Sequence, residues 1–214
     1  MPQKEFSTYI FDLDGTLLNT LGDLAASVNY ALRLQGFPER SLDEVRSFVG
    51  NGVRQLVLRA LPADTPPDVV EETFALFRDH YSVHGQDTTL PYVGINQLLD
   101  RLKAAGKRIG VVSNKYQAAT SQLCQAFFPT TIQVAVGESE GISRKPAPDT
   151  VNEALRQLGS SPAEAVYIGD SEIDILTARN SGLPCLSVLW GFRSRDFLLA
   201  HGATNLVATP EDIF

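Results

Sequence analysis

Apolar and β-branched residues come in short runs at 8–12, 108–113, 132–136, 165–169 and 184–189. Most of the stretches between them repeat with a helical period. Residues 94–105 place Ile95, Leu98, Leu99 and Leu102 on one helical face, and Gly106 ends the pattern. Residues 149–158 align Val151, Ala154, Leu155 and Leu158, with Pro148 near the start and Gly159 past the end. Strand and helix in regular alternation predict a parallel sheet with helices on both faces.

One section departs from that rhythm. Between about residues 20 and 84 no strand pattern is visible. Leu21, Leu24, Ala25, Val28 and Leu32 form a helical stripe, and Ser41 with Glu44 reads as a capping box that opens a second helix. Val53, Leu56, Val57 and Ala60 form a third stripe. After Pro66-Pro67, the residues Val70, Phe74, Phe77 and Tyr81 form a fourth. The return linker, residues 84–94, is rich in turn formers. The expected organisation is a core made of residues 1–19 and 85–214 with an all-helical subdomain, 20–84, inserted after the first strand. Such an insert suits a lid over whatever the sheet binds.

Composition narrows the partners. The chain has 214 residues, 43% hydrophobic and 20% charged, which suits a globular fold and not a disordered one. A net charge of -7 argues against nucleic acid as the main partner. No apolar run is long enough to span a membrane, and no signal-peptide core precedes the first acids. Cys124 and Cys185 sit in apolar surroundings without metal-ligand spacing, so they read as buried reduced thiols. These features predict a soluble cytoplasmic protein; nothing in them bears on oligomeric state.

In an open parallel sheet, ligands bind at the carboxyl ends of the strands. The first strand leads into Asp12-Leu13-Asp14-Gly15-Thr16, the second into Ser113-Asn114-Lys115, and the fourth into Asp170-Ser171-Glu172-Ile173-Asp174. Lys145-Pro146-Ala147-Pro148 lies between the third and fourth. Each piece has an ordinary structural explanation. Asp-Gly is a turn pair, Ser113 and Asn114 suit a helix cap, and Lys145 suits a solvated loop. Asp170 and Ser171 suit an N-cap, Asp174 a first helical turn, and Glu172 a solvent-facing side chain. Together they mean more. Two carboxylates one residue apart at a buried strand end repel each other unless a cation lies between them. Clustered acids at strand ends suit Mg²⁺, a hard ion with oxygen ligands. Ser113 and Lys145 add the neutral and the positive donor that a transferring phosphoryl group requires. Asp12 would be the nucleophile, and Asp14 would protonate the leaving oxygen and then activate water.

The motifs DLDGTL (12–17), VVSNK (111–115), RKPAPD (144–149) and IGDSEIDILTA (168–178) resemble, in order, the four motifs of the haloacid dehalogenase-like hydrolases. The resemblance implies a Rossmann-like α/β core with a helical cap. It implies Asp12 as nucleophile and Mg²⁺ ligand, and Asp14 as acid/base with its backbone carbonyl on the metal. Thr16, Ser113 and Asn114 would lie at the substrate, Lys145 would steady both phosphate and Asp12, Asp170 would bind the metal, and Asp174, in a supporting place, would orient metal-bound water or Lys145. Asn19 stands where relatives often carry Asp, a change that touches none of these roles.

Within that family the second acid sorts the chemistry. Dehalogenases and ion-pumping ATPases lack an acid at the position of Asp14, so its presence implies hydrolysis of a phosphate ester or a phosphoryl mutase. Residues 47–61, LWGF at 189–192 and 202–213 are similar to phosphoglycolate phosphatase-like proteins. There Gly52 and Arg54 are expected to meet the non-reacting end of the substrate, where a carboxylate would suit a helix N-terminus. The alternatives are a mutase of the β-phosphoglucomutase kind, a pyrophosphatase or nucleotidase of the same superfamily, and a non-enzymatic phospho-acceptor domain. A phosphonate-cleaving relative needs a cap lysine, and residues 20–84 contain none.

Overall fold

A computed structural model of the chain describes residues 6–214. In chain order the strands are β1 (Thr8–Phe11), β2 (Leu18–Asn19), β3 (Leu90–Pro91), β4 (Arg108–Tyr116), β5 (Val134–Glu138), β6 (Ala165–Gly169), β7 (Cys185–Val188) and β8 (Leu206–Val207). The α-helices are α1 (Leu21–Leu34), α2 (Leu42–Phe48), α3 (Val53–Ala60), α4 (Pro67–His84), α5 (Ile95–Ala104), α6 (Gln117–Phe127), α7 (Asp149–Leu158), α8 (Glu172–Asn180) and α9 (Arg195–Ala200). The chain forms two compact units. One runs up to Leu18 and resumes over Pro91–Phe214, and the other is Asn19–Leu90.

The first unit is the α/β core. Its sheet has the order β5-β4-β1-β6-β7-β8, and every pairing is parallel. From β1 the chain moves outward to β4 and β5, then returns to the other side of β1 for β6, β7 and β8. The order therefore reverses at β1, which is where such sheets open a crevice beyond their strand ends. Period-two alternation splits the core into two layers. Tyr9, Phe11, Ile109, Val111, Val166 and Ile168 pack with Leu98, Leu99 and Leu102 of α5 and Leu123 of α6. Ile10, Val112 and Tyr167 face the other way, onto Val151, Ala154 and Leu155 of α7 and Ala178 of α8. Each fully buried Leu or Ile in these layers contributes roughly 2 kcal/mol.

Strand β4 continues through Tyr116, past the expected end at 113, and its register against β5 shifts between Val112 and Tyr116. A register shift of this kind re-aims side chains at a strand end. Strand β5 begins at Val134 and not at 132. Among the described residues no helix is long and apolar enough to cross a membrane.

The second unit is helical. Leu21, Leu24, Ala25, Val28 and Leu32 of α1 are all buried, as their spacing predicts. The expected capping box is present: Glu44 N–H donates to Ser41 Oγ at 3.3 Å, and Ser41 N–H to Glu44 Oε2 at 2.8 Å. On α4 the buried positions are Val70, Thr73 and Phe77. Phe74 and Tyr81 are only half-buried. Thr73 can take an inner position because its hydroxyl donates to Val69 O at 2.7 Å. Asp23, in the first turn of α1, is buried and accepts from the backbone N–H and hydroxyl groups of Thr88 and Thr89 at 2.6–3.1 Å.

Candidate active site

The site begins where β1 ends. Asp12 N–H still bonds Ile168 O at 2.8 Å, so the first acid leaves the sheet in register. The chain then turns tightly, with the N–H groups of Thr16, Leu17 and Leu18 all directed to Leu13 O. Gly15 makes this possible with φ of 87°. A Cβ there would also stand 2.5 Å from Asp170 Oδ2. The turn thus presses against the end of β6, and Thr16 donates its hydroxyl to Asp170 Oδ1 at 3.2 Å.

Asp12, Asp170 and Asp174 are buried, and each offers a carboxylate oxygen within 4.8 Å of the others. Lys145 lies among them, 4% exposed, so it is no solvated loop lysine. Its ammonium reaches Asp12 Oδ1 at 2.8 Å, Asp174 Oδ1 at 2.8 Å and the Tyr167 hydroxyl at 3.1 Å. Burial opposes that charge, but Asp12 and then Asp174 outweigh it and hold the lysine above its ordinary pKa.

The three acids differ in their partners. Asp174 Oδ1 accepts from Lys145 and from Tyr167 Oη at 2.8 Å. Its Oδ2 accepts from Asp170 N, Ser171 N and Ser171 Oγ at 3.2, 3.1 and 2.6 Å. Burial alone would raise its pKa; Lys145 and these donors lower it. It serves at once as the first-turn cap of α8 and as the anchor of Lys145. Asp12 is raised well above the usual carboxylate range, by burial first and then by Asp174, with Lys145 opposing. Asp170 is pushed up to about 7, by burial and by Asp174, against the Phe192 N–H bonded to its Oδ2 at 2.7 Å.

Three buried carboxylates around one lysine leave an excess of negative charge. A divalent ion with oxygen ligands fits that deficit. Asp174 is already saturated with donors, so Asp12 and Asp170 are the carboxylates that could hold the ion. The side chain of Asp14 lies outside this cluster, paired with Lys115 at 3.3 Å. That leaves its backbone carbonyl as the expected contribution to a metal.

At the end of β4, Ser113 Oγ accepts from Lys115 N–H at 3.1 Å, which leaves the serine's own proton to donate elsewhere. Asn114 clamps Lys145: Asn114 Nδ2 donates to Lys145 O at 3.0 Å, and Lys145 N–H donates to Asn114 Oδ1 at 2.7 Å. Asn114, expected at the substrate, thus grips the lysine's backbone with both ends of its carboxamide. Glu172, expected to face solvent, instead pairs with Arg193 at 3.1 Å and is only partly exposed. Gly52 and Arg54 belong to the helical unit. There Gly52 precedes α3 with φ of 81°, and Arg54 ion-pairs with Glu71 of α4 on an exposed surface.

Several participants escape the sequence reading. Tyr167 is hidden in the apolar run of β6, and Lys115 simply follows a recognisable Ser-Asn pair. Trp190 donates Nε1–H to Thr16 O at 3.0 Å. Gly191 lies so close that a Cβ would stand 2.2 Å from Asp170 Cβ. The LWGF stretch is visible in the sequence, but its contact with Asp170 is not.

Comparison with known proteins agrees with this geometry. Residues 9–188 match the model of the haloacid dehalogenase-like hydrolases. A phosphoglycolate phosphatase of Rhodobacter capsulatus is 36% identical over 91% of this chain and 90% of its own length. One of Mesorhizobium japonicum is 34% identical over 87% and 84%. A crystal structure from Lactobacillus delbrueckii subsp. bulgaricus, described as a candidate phosphoglycolate phosphatase, superposes with a TM-score of 0.95 at 38% identity, covering 98% of this chain and 97% of that one. With its motifs, sheet and relatives in agreement, the chain belongs to the haloacid dehalogenase-like hydrolases, in their phosphoglycolate phosphatase-like group, and is a phosphoric monoester hydrolase.

Proposed function

We propose that the chain is a Mg²⁺-dependent phosphatase that hydrolyses a small phosphate monoester, 2-phosphoglycolate, through an aspartyl-phosphate on Asp12. One observation carries the reading: two acids on a single turn each meet their own lysine, Asp12 with Lys145 and Asp14 with Lys115. Two carboxylates so placed can divide nucleophilic and acid/base work between them. The choice of 2-phosphoglycolate rests on the names carried by the relatives at 34–36% identity.

In this mechanism a carboxylate oxygen of Asp12 attacks phosphorus, and the new O–P bond forms as the ester P–O bond breaks. Asp14 gives its proton to the departing oxygen. It then takes a proton from the water that cleaves the acyl phosphate, which returns Asp12 as a carboxylate and releases inorganic phosphate. Ser113 donates to a phosphoryl oxygen, and Lys145 holds Asp12 on line while its charge faces the phosphoryl group. Thr16 and Tyr167 orient Asp170 and Asp174. Asp12, Asp170 and the Asp14 carbonyl would hold Mg²⁺, which supplies positive charge against the phosphoryl oxygens and the clustered acids. Gly52 and Arg54 remain the candidates, on sequence grounds, for binding the substrate carboxylate.

The test is kcat/KM across a panel of 2-phosphoglycolate, para-nitrophenyl phosphate, β-glucose 1-phosphate, pyrophosphate and nucleoside monophosphates, with Mg²⁺ and with EDTA. The highest value is expected for 2-phosphoglycolate, with loss of turnover in EDTA. Isomerisation of the sugar phosphate with little phosphate release would favour a mutase, and no turnover of any ester would overturn the reading.

A further inference from the structure

We infer that Lys115 is a positioning residue for Asp14, holding the acid/base carboxylate on the leaving-group side of the site; the inference rests on the phosphatase reading above. Lys145 faces Asp12 and Asp174, whereas Lys115 Nζ stands 3.3 Å from Asp14 Oδ1. The Lys115 side chain is 3% exposed and that of Asp14 16%, so this is no solvated surface pair that salt and side-chain entropy would erase.

The chain around Lys115 is built to hold it. Its N–H bonds Ser113 Oγ, and its carbonyl accepts from Thr120 Oγ1 at 3.2 Å. Gln117, two residues on, donates Nε2–H to Ala135 O at 2.9 Å and accepts from Gly137 N–H at 2.7 Å, which fastens the turn to β5. Gly137 allows this closeness, since a Cβ there would stand 2.7 Å from Lys115 O. The lysine therefore reaches Asp14 from a backbone pinned at both ends, within the stretch where the register of β4 against β5 shifts.

A carboxylate that passes a proton to the leaving oxygen needs a fixed direction, because proton transfer demands hydrogen-bond reach. Asp14 lies within the tight turn that follows β1, so its side chain leaves from a fixed backbone and its direction is set by what that side chain meets. Lys115 sets that direction. Its charge also faces the carboxylate that remains on Asp14 once the proton has moved to the leaving oxygen.

The signature is a dependence on the leaving group. Lys115→Met and Lys115→Gln are compared with the parent on 2-phosphoglycolate, propyl phosphate and para-nitrophenyl phosphate. We read kcat/KM, which reports the chain of steps up to departure of the leaving group. Both alkyl esters should fall together by about 10²-fold, while the nitrophenyl ester, whose leaving group needs little protonation, falls by about threefold or less. Lys115→Arg should recover most of the loss. In an Asp14→Asn background, Lys115→Met should add nothing further, because the group it positions is already gone. Equal losses on all three esters would overturn the inference and mean general damage. Loss confined to 2-phosphoglycolate would overturn it in favour of direct contact with the substrate carboxylate. If Lys115→Met melts early, Lys115→Gln and Lys115→Arg give the same comparison. A parent enzyme that turns over none of the esters would bring down the phosphatase reading itself and the inference with it.

Discussion

Asn114 and Lys145 hold each other across 31 residues by two hydrogen bonds, the Asn114 carboxamide meeting both the N–H and the C=O of the lysine. The lysine that faces Asp12 is therefore placed by its backbone, before its side chain makes any contact. Asn114→Ala should leave two buried backbone groups unpaired and cost about 1–3 kcal/mol of stability. It should lower kcat/KM by a similar factor on every ester, since Lys145 serves the phosphoryl end that all of them share. Urea melts and two unlike substrates check both statements.

Asp12→Asn should abolish turnover, because the amide does not attack phosphorus. The variant should still bind Mg²⁺, though more weakly, since Asp170 remains. Measurable multiple turnover in Asp12→Asn would remove Asp12 from the nucleophile's position.

Asp170 gives a pH prediction with a definite sign. Its pKa in the fold is raised from 3.8 to about 7 by burial and by Asp174. Between those values the unfolded chain has lost this proton while the folded chain keeps it, so metal-free stability falls as pH rises from about 4 to about 7. A divalent ion at the carboxylates should reverse that loss. The rise in Tm on adding Mg²⁺ should therefore be larger at pH 8 than at pH 5.5. In Asp170→Asn, Tm in EDTA should become less sensitive to pH over the same window, and most of the Mg²⁺ effect should vanish. An equal Mg²⁺ effect at both pH values in the parent would contradict this assignment.

Asp23 should matter to the helical unit alone. Asp23→Ala leaves the buried N–H of Thr89 unmet and removes the acceptor of Thr88, and should destabilise that unit by about 1–3 kcal/mol. Hydrogen exchange should show faster opening in α1 and around Thr88–Thr89, with β1, β4 and β6 protected as before. Uniformly faster exchange through the sheet would mean that the two units unfold together.

Arg54→Ala should lower kcat/KM for 2-phosphoglycolate, by about 1–3 kcal/mol if a charge-assisted bond to the carboxylate is lost. Para-nitrophenyl phosphate hydrolysis should stay nearly unchanged. Loss of neither activity would leave Arg54 with its exposed partner Glu71 and no part in selection.

The parallel sheet, the helical section and the acids at the strand ends were legible because each leaves a local mark. Short continuous apolar runs announce β1, β4 and β6, and the stripe of α1 needs only its own fourteen residues. Asp12, Asp170 and Asp174 follow apolar strands closely, and Lys145 stands out only in company with them and Ser113. Other features have no local mark. Strands β2, β3 and β8 hold two residues each, too few for any period. The grip of Asn114 on Lys145 and the aim of Lys115 at Asp14 depend on partners far along the chain, and the bond from Tyr167 to Asp174 depends on how the chain turns from β6 into α8. Asp23 looks like any first-turn acid until Thr88 and Thr89 return to it 65 and 66 residues later.

Gly15 and Gly191 close on Asp170 from two directions, each within 2.6 Å of its carboxylate once a Cβ is drawn on the glycine. In a deep mutational library the two positions should accept no replacement at all, Ala included. They should behave as strictly as Asp170 itself, although neither carries a functional group. A selection for activity would thus return glycine at both positions in every survivor, and a survey of natural variation within this group should find them held constant for want of space.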